Sequence, residues 1–156
     1  KFSKFNIALS DKRKSINIYQ YGSGAKAVRK NSRKKFVMHE ILALTGDDFV
    51  LENNIEKVDI IKIDVDGFDY EVLLGFERVL HSQRPCIQFE CSKFWIELGY
   101  TLKTAQKYLE EIDYVLYEMT DGGFRPLNIN LPDALFATIN VFAAPREHKC
   151  HGICQN

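Results

Sequence analysis

Residues Val58 to Gly75 read VDIIKIDVDGFDYEVLLG. The first half is apolar and β-branched, the composition of a strand, while the second half spaces its apolar residues as a helix does. One glycine and three carboxylates, Asp64, Asp66 and Asp69, stand at the junction. A strand that hands over directly to a helix is the building unit of α/β folds. No other stretch of the chain restricts its architecture as much.

The flanking segments extend that alternation. "FNIALS" (Phe5–Ser10) reads as a short strand. "SINIYQY" (Ser15–Tyr21) sets Ile16, Ile18 and Gln20 against Asn17, Tyr19 and Tyr21, the period-two pattern of a second strand. A long polar loop is expected next, then a short helix around Asp47 to Asn53. "VDIIKIDV" is expected to be a buried strand. After it, Phe68, Val72, Phe76, Val79 and Leu80 share one helical face. "RPCIQFECS" is the next strand, opened by Pro85. "TLKTAQKYLEEI" carries Leu102, Ala105, Leu109 and Ile112 on one helical face, with Thr101 placed as its cap. "DYVLYEMTDGG" and "ATINVFAAP" are two further strands, joined by a loop around Gly122, Gly123 and Pro126. With no helix between them they are expected to pair antiparallel and close the sheet edge. The expectation is an α/β sheet, mostly parallel, over residues 1–145, with 146–156 a disordered tail. In open sheets of this kind ligands bind at the carboxyl ends of the strands.

At 156 residues and 46% hydrophobic content, the chain suffices for one domain with its own core. Its apolar runs are too short to span a membrane. The opening "KFSKFNIALSDKRK" has no signal-peptide hydrophobic block, so a cytoplasmic location is expected. It also has no initiator Met, so Lys1 need not be the native start. Net charge is zero but uneven: residues 1–35 hold eleven Lys and Arg against one acid, Asp11. The run "KAVRKNSRKK" (Lys26–Lys35) reads either as an anion-attracting loop or as a solvated one, and the second reading is preferred. No aromatic residue interleaves the run, so bases have no stacking platform and no nucleic-acid partner is expected. Cys86 and Cys91 flank an apolar strand and are expected to act as small buried hydrophobes in a reducing compartment. His148, Cys150, His151 and Cys154 crowd the tail, but their spacing fits no structural-zinc pattern, and no metal centre is expected.

The strand ending at Val65 directs Lys62, Asp64 and Asp66 to one side and Ile61, Ile63 and Val65 to the other. If the strand from Cys86 to Cys91 is its neighbour, Asp64, Asp66 and Glu90 meet at one carboxyl edge. Clustered carboxylates repel one another, so one can hold a raised pKa and act as a base; the set can also receive a cation. Asp66 and Asp69 have a structural reading, as the carboxylates of a helix cap. Asp64 lies in the apolar stretch itself, where an unpaired carboxylate is costly, and the functional reading is preferred; Lys62 offers a structural pairing. For Glu90 the two readings balance.

Asp64-Val65-Asp66-Gly67 after an apolar strand also resembles the haloacid dehalogenase-type phosphatases, with Asp64 as nucleophile and Ser92 imitating the second motif. Phe68 stands where that family has Thr, and two strands precede the motif here instead of none. An EF-hand reading fails for want of a third acidic position and a terminal Glu.

The same residues resemble the FkbM-type methyltransferases more extensively. That family's hallmark is Lys-Ile-Asp-Val-Glu-Gly-x-Glu followed by a helix with Val-Leu-x-Gly. This chain has KIDVDGFDYEVLLG, with Asp66 and Asp69 in the Glu positions. "NIALSD" (Asn6–Asp11), "TGDDF" (Thr45–Phe49), "RPCIQFE" ending at Glu90, and "INVFAAP" are similar to further blocks of the family, in the same order. The resemblance runs from about Phe5 to Pro145. It implies a Rossmann-like sheet and an S-adenosylmethionine-dependent O-methyltransferase acting on a small molecule or sugar. It places Ala8, Leu9, Ser10 and Asp11 at the adenine edge of the cofactor site. Asp64 falls near the methionine part and the acceptor, as cofactor contact or base, with Lys62 and Glu90 in support.

The family's first strands and its Gly-rich cofactor loop would precede "KFNIALSD" and have no counterpart here. Gly22 and Gly24 come too late in the chain to supply that loop. The expectation is therefore a methyltransferase fragment that binds the cofactor weakly or not at all on its own, or a non-catalytic remnant that oligomerises through an exposed sheet edge.

Overall fold

A computed structural model describes residues 2–21, 24–27, 38–129 and 138–148. These form two sheets with helices packed on them. The first has the order β1 (Ala8–Leu9), β4 (Met38–Leu44), β2 (Lys14–Tyr21), β3 (Gly24–Ala27). The second has the order β5 (Ile60–Lys62), β6 (Cys86–Cys91), β9 (Ile139–Pro145), β7 (Tyr114–Thr120), β8 (Gly123–Pro126).

The α/β class holds, but the single, mostly parallel sheet does not. In the second sheet β5 and β6 pair parallel, while β9 pairs antiparallel with both β6 and β7. β5, β6 and β7 therefore share a direction, and β9 is threaded between β6 and β7 against it. The last two long strands do pair antiparallel as expected, yet they do not form the edge. The residues read as a connecting loop fold back as β8 and take that place.

Three further departures have local causes. β4, a segment given no element of its own from the sequence, is a strand because it has neighbours on both sides: β2 antiparallel over six register pairs and β1 parallel. The expected single helix after Asp66 is two, α2 (Asp69–Leu74) and α3 (Glu77–Ser82), interrupted at Gly75–Phe76. β5 is not a fully buried strand. It is an edge, with Ile61 buried and Ile60 62% exposed. The helices near the two caps follow expectation. α1 (Gly46–Glu52) is capped by the Thr45 hydroxyl accepting from Asp48 N, and α5 (Leu102–Glu111) by Thr101 accepting from Thr104 N.

The core fills the space between the second sheet and its helices. Leu73 and Leu80 from α2 and α3, Ile87 and Phe89 from β6, and Leu109 from α5 are all buried to 1% exposure or less. Trp95, on the short helix α4 (Phe94–Glu97), stacks on Phe89 at 5.9 Å between centroids. Cys91 is buried, and burial pushes its thiol up to about 12, so it behaves as the apolar filler it was read to be. Cys86 is only partly buried, its Sγ lying 3.9 Å from His148 Nδ1. Of the basic run Lys26–Lys35, Lys26 and Ala27 end β3 and the rest lies outside the described residues, as does the cysteine-bearing tail 149–156. Among the described residues no helix is long and apolar enough to cross a membrane.

Among the described residues, hydrogen bonds tie the first sheet and α1 to the helices of the second. Ser10 N donates to Leu44 O at the end of the first sheet, and Asp47 N donates to Gly75 O between α2 and α3. The Asp47 carboxylate accepts from the main-chain amides of Arg78 and Val79, closing the start of α3 from α1. Gly75 has an ordinary helical φ of −70°, so its backbone does not call for glycine. Space does: a Cβ there would stand 2.2 Å from the Ser10 carbonyl oxygen.

Candidate functional site

A groove of about 940 Å³ is lined by β1, β2 and Ile41 of β4 from the first sheet, and by β5 and the segment after it from the second. β1 supplies Ala8 and Leu9, followed by Ser10; β5 supplies Lys62, followed by Asp64. Phe68, Glu71, Val72 and Phe76 of the following helical segment line it as well. With Asp66, which also lines the groove, six of the residues singled out from the sequence thus converge from two segments far apart in the chain. Asp11 and Glu90 are not among the lining residues.

Each side of the groove has its own network. Ser10 Oγ donates to Glu71 Oε2 at 3.1 Å and to Asp11 Oδ1 at 3.1 Å. Lys14 Nζ donates to both of these carboxylates at 2.7 Å. Burial works against the Lys14 ammonium, but its bonds to Asp11 and Glu71 outweigh that and hold its pKa above the ordinary value. Burial likewise works against the Asp11 carboxylate, and the bonds from Lys14 and Ser10 outweigh it, leaving its pKa lowered. Lys14 and Glu71 were not picked out from the sequence. The spacing Asp11-x-x-Lys14 was a visible signal, whereas nothing local points Glu71 at Ser10.

On the other side, Lys62 Nζ donates to Asp64 Oδ2 at 3.1 Å, and the two side chains are 60% and 64% exposed. Asp64 is therefore no buried carboxylate. It stands in solvent at the mouth of an edge strand, so the cost argument made for it from the apolar run does not apply.

The turn from β5 into α2 is sharp. Asp66 has φ of 52° and Gly67 φ of 105°, both in the left-handed region. Glycine suits the second position on steric grounds too, since a Cβ there would fall 2.7 Å from Phe94 Cβ. The helix-cap reading of Asp66 and Asp69 is corrected here. The N-cap of α2 is Phe68, with no side-chain cap bond. The Asp69 side chain, fully buried, instead accepts from Gly67 N at 3.1 Å and from Glu90 N at 3.2 Å. It ties the turn after β5 to the end of β6. The neighbourhood of β5 and β6 does bring the acids together: burial raises the Glu90 pKa first, and the charges of Asp69, Asp64 and Asp66 raise it further. Burial also raises that of Asp69, against the main-chain bonds that lower it. Among the described residues no group of His, Cys, Asp and Glu is arranged to hold a metal ion.

The model of the methyltransferase FkbM domain matches residues 3–126, most of the chain, covering β1, the turn after β5 and the end of β6. The chain belongs to the FkbM methyltransferase family. No curated protein and no solved structure matches it. Membership in the FkbM family places the chain among the methyltransferases, and takes away the ground for a phosphatase built on Asp64. Within the matched residues, the stretch KIDVDGFDYEVLLG maps onto β5, the left-handed turn, α2 and the tight Gly75 contact in one continuous piece.

Proposed function

We propose that this chain carries the methyl-transfer site of an S-adenosylmethionine-dependent O-methyltransferase acting on a hydroxyl of a small molecule or sugar. The observation that carries the reading is the convergence of Ala8, Leu9 and Ser10 with Lys62 and Asp64 on one groove at the carboxyl ends of β1 and β5. The lining suits the cofactor. Leu9, Ile63 and Phe68 offer apolar surface for an adenine ring, and Ser10 and Asp64 offer hydroxyl and carboxylate partners for ribose hydroxyls and a cationic sulfonium. Bound there, S-adenosylmethionine would supply an activated methyl group.

The residues of this chain would do the rest. Asp64, exposed and held by Lys62, is free to turn to a hydroxyl and accept its proton as the oxygen is methylated. Glu90, whose carboxyl is held above its usual range by burial and by its acidic neighbours, is a second proton acceptor nearby. The Asp69 clamp keeps the ends of β5 and β6 in register, so that an acceptor is aligned rather than merely bound.

Isothermal titration with S-adenosylmethionine tests this. Binding is expected, weakened about tenfold in Asp64→Ala and in Ser10→Ala. A chain that takes up no cofactor at millimolar concentration, while folded by circular dichroism, would sink the proposal.

A further inference from the structure

The start of β6 and the segment after β9 bring together two side chains that the methyl-transfer reading does not use. Cys86 Sγ lies 3.9 Å from His148 Nδ1, across 62 residues of sequence. Both residues are held by bonds from outside the pair. Cys86 N donates to Asp59 O, and Arg146 N, two residues before His148, donates to Asp113 O. Arg84 grips the intervening Glu147 through both carboxylate oxygens, at 2.8 and 2.9 Å, and donates to the Ile112 carbonyl as well. Two ligands of one tetrahedral zinc ion, at about 2.3 Å for sulfur and about 2.0 Å for nitrogen, stand about 3.5 Å apart. A side-chain adjustment of a few tenths of an ångström brings Cys86 and His148 to that spacing.

Two ligands do not hold zinc, and the sequence has two more. Cys150-His151-Gly152-Ile153-Cys154 begins two residues after His148 and lies outside the described residues. Its cysteines are spaced C-x3-C, within the range that structural zinc sites use. Two residues of chain reach at most about 7 Å, so covalent geometry alone keeps Cys150 near the pair. The tail by itself offers one ligand pair, whereas a structural site takes two, separated by a longer segment. Cys86 and His148 supply the second pair, and only the fold brings them together. We infer that Cys86, His148, Cys150 and Cys154 form a structural zinc site of the Cys3His class. Each thiol releases its proton to solvent on binding, so three thiolates and a neutral imidazole leave the site one net negative charge. Arg84 and Arg146, each two residues from a ligand in sequence, supply opposite charge. The ion ties the segment after β9 to the amino end of β6, the far end of that strand from Glu90. The inference therefore does not depend on what the groove binds.

The full chain, stripped of metal and kept reduced, is titrated with cobalt(II) and then with zinc. Cobalt is expected to give the sulfur-to-metal charge-transfer band and the visible bands of a tetrahedral thiolate site, and zinc to displace it at about one ion per chain. Cys86→Ser should weaken binding about tenfold or more and, at saturating cobalt, remove about a third of the charge-transfer intensity. His148→Ala should weaken binding as much but leave that intensity, and His151→Ala should change neither. Circular dichroism checks that the variants fold, and zinc is expected to raise the melting temperature of the parent well above any effect on Cys86→Ser. Three results would each overturn the inference: no charge-transfer band in the folded parent, a Cys86→Ser variant that binds cobalt as tightly with an undiminished band, or binding lost in His151→Ala and kept in His148→Ala.

Discussion

The Asp69 carboxylate accepts a hydrogen bond from the Glu90 amide at 3.2 Å, across 21 residues of sequence. Its other oxygen accepts from Gly67 N, two residues back. One buried side chain thus fixes both the turn that leaves β5 and the last part of β6. Replacing it with alanine would strand two amide donors. The Asp69→Ala variant is expected to lose about 1–3 kcal/mol for each donor that water does not reach. Asp69→Asn keeps one carbonyl oxygen and should fall between. Urea midpoints at unchanged m-value measure both; an alanine variant within about 0.5 kcal/mol of the parent would show that the clamp does not stabilise the fold.

Glu90 has the opposite character, a carboxylate the fold does not favour. Its folded pKa is raised above 4.5, so the native state holds its proton more tightly than the unfolded state. Stability contributed this way is present at low pH and is lost as pH rises from the unfolded pKa through the folded one. Glu90→Gln should therefore melt higher than the parent at pH 7, and the difference should vanish below about pH 4, where both states are protonated. Melting curves across that range decide the point, and a difference independent of pH would count against it.

Gly75→Ala pits helix propensity against space. Alanine favours a helical backbone, and φ at Gly75 permits it. The new methyl group would meet the Ser10 carbonyl oxygen at 2.2 Å, a main-chain atom that cannot swing aside. A net loss of about 1–3 kcal/mol is expected, read by chemical denaturation. A gain in stability would mean that the two sheets separate more readily than their bonding indicates.

Lys14→Met removes the cation that both Asp11 and Glu71 share. The Glu71 side chain is 10% exposed, so its carboxylate would keep the Ser10 hydroxyl but lose its cation, with little water to replace it. A loss of about 1–3 kcal/mol is expected, below the 3–5 kcal/mol typical of fully buried pairs because Lys14 itself is partly solvated. The Lys14 pKa is raised above 10.5, so the parent should lose stability as pH climbs through the folded value, and the Met variant should lack that contribution. Denaturation at neutral and strongly alkaline pH tests both parts.

Local signals were legible where local forces decide. α5 follows from four apolar residues on one face and a threonine cap, and β6 from its alternation, buried at Ile87, Phe89 and Cys91. β4 escaped because "MHEILAL" is ambiguous alone, and its pairing with β2 and β1 settles it. The break at Gly75 was hidden by apolar spacing that continues through it, since its cause is a carbonyl on β1. Asp69 sat where a cap should sit, and only the fold brings the Glu90 amide to it. For the candidate site, the family-like stretches named Ala8–Ser10 and Lys62–Asp64, which share the groove, while Lys14 and Glu71 emerge only when β2 and α2 meet.

β9 lies between β6 and β7, although it is the last strand among the described residues. As the polypeptide leaves a ribosome, β5 and β6 can pair, and β7 and β8 can form their hairpin, but the halves meet only through contacts such as those of Tyr114 and Arg84, with no strand between them. The middle of the sheet arrives last, so Ile87, Phe89 and Leu116 stay incompletely covered until Pro145 has emerged. Long-range pairings of this sort are slow to form and leave strands open meanwhile. A premature stop before Ile139 would therefore not trim an end from this protein. It would leave two half-sheets without the strand that pairs with both of them.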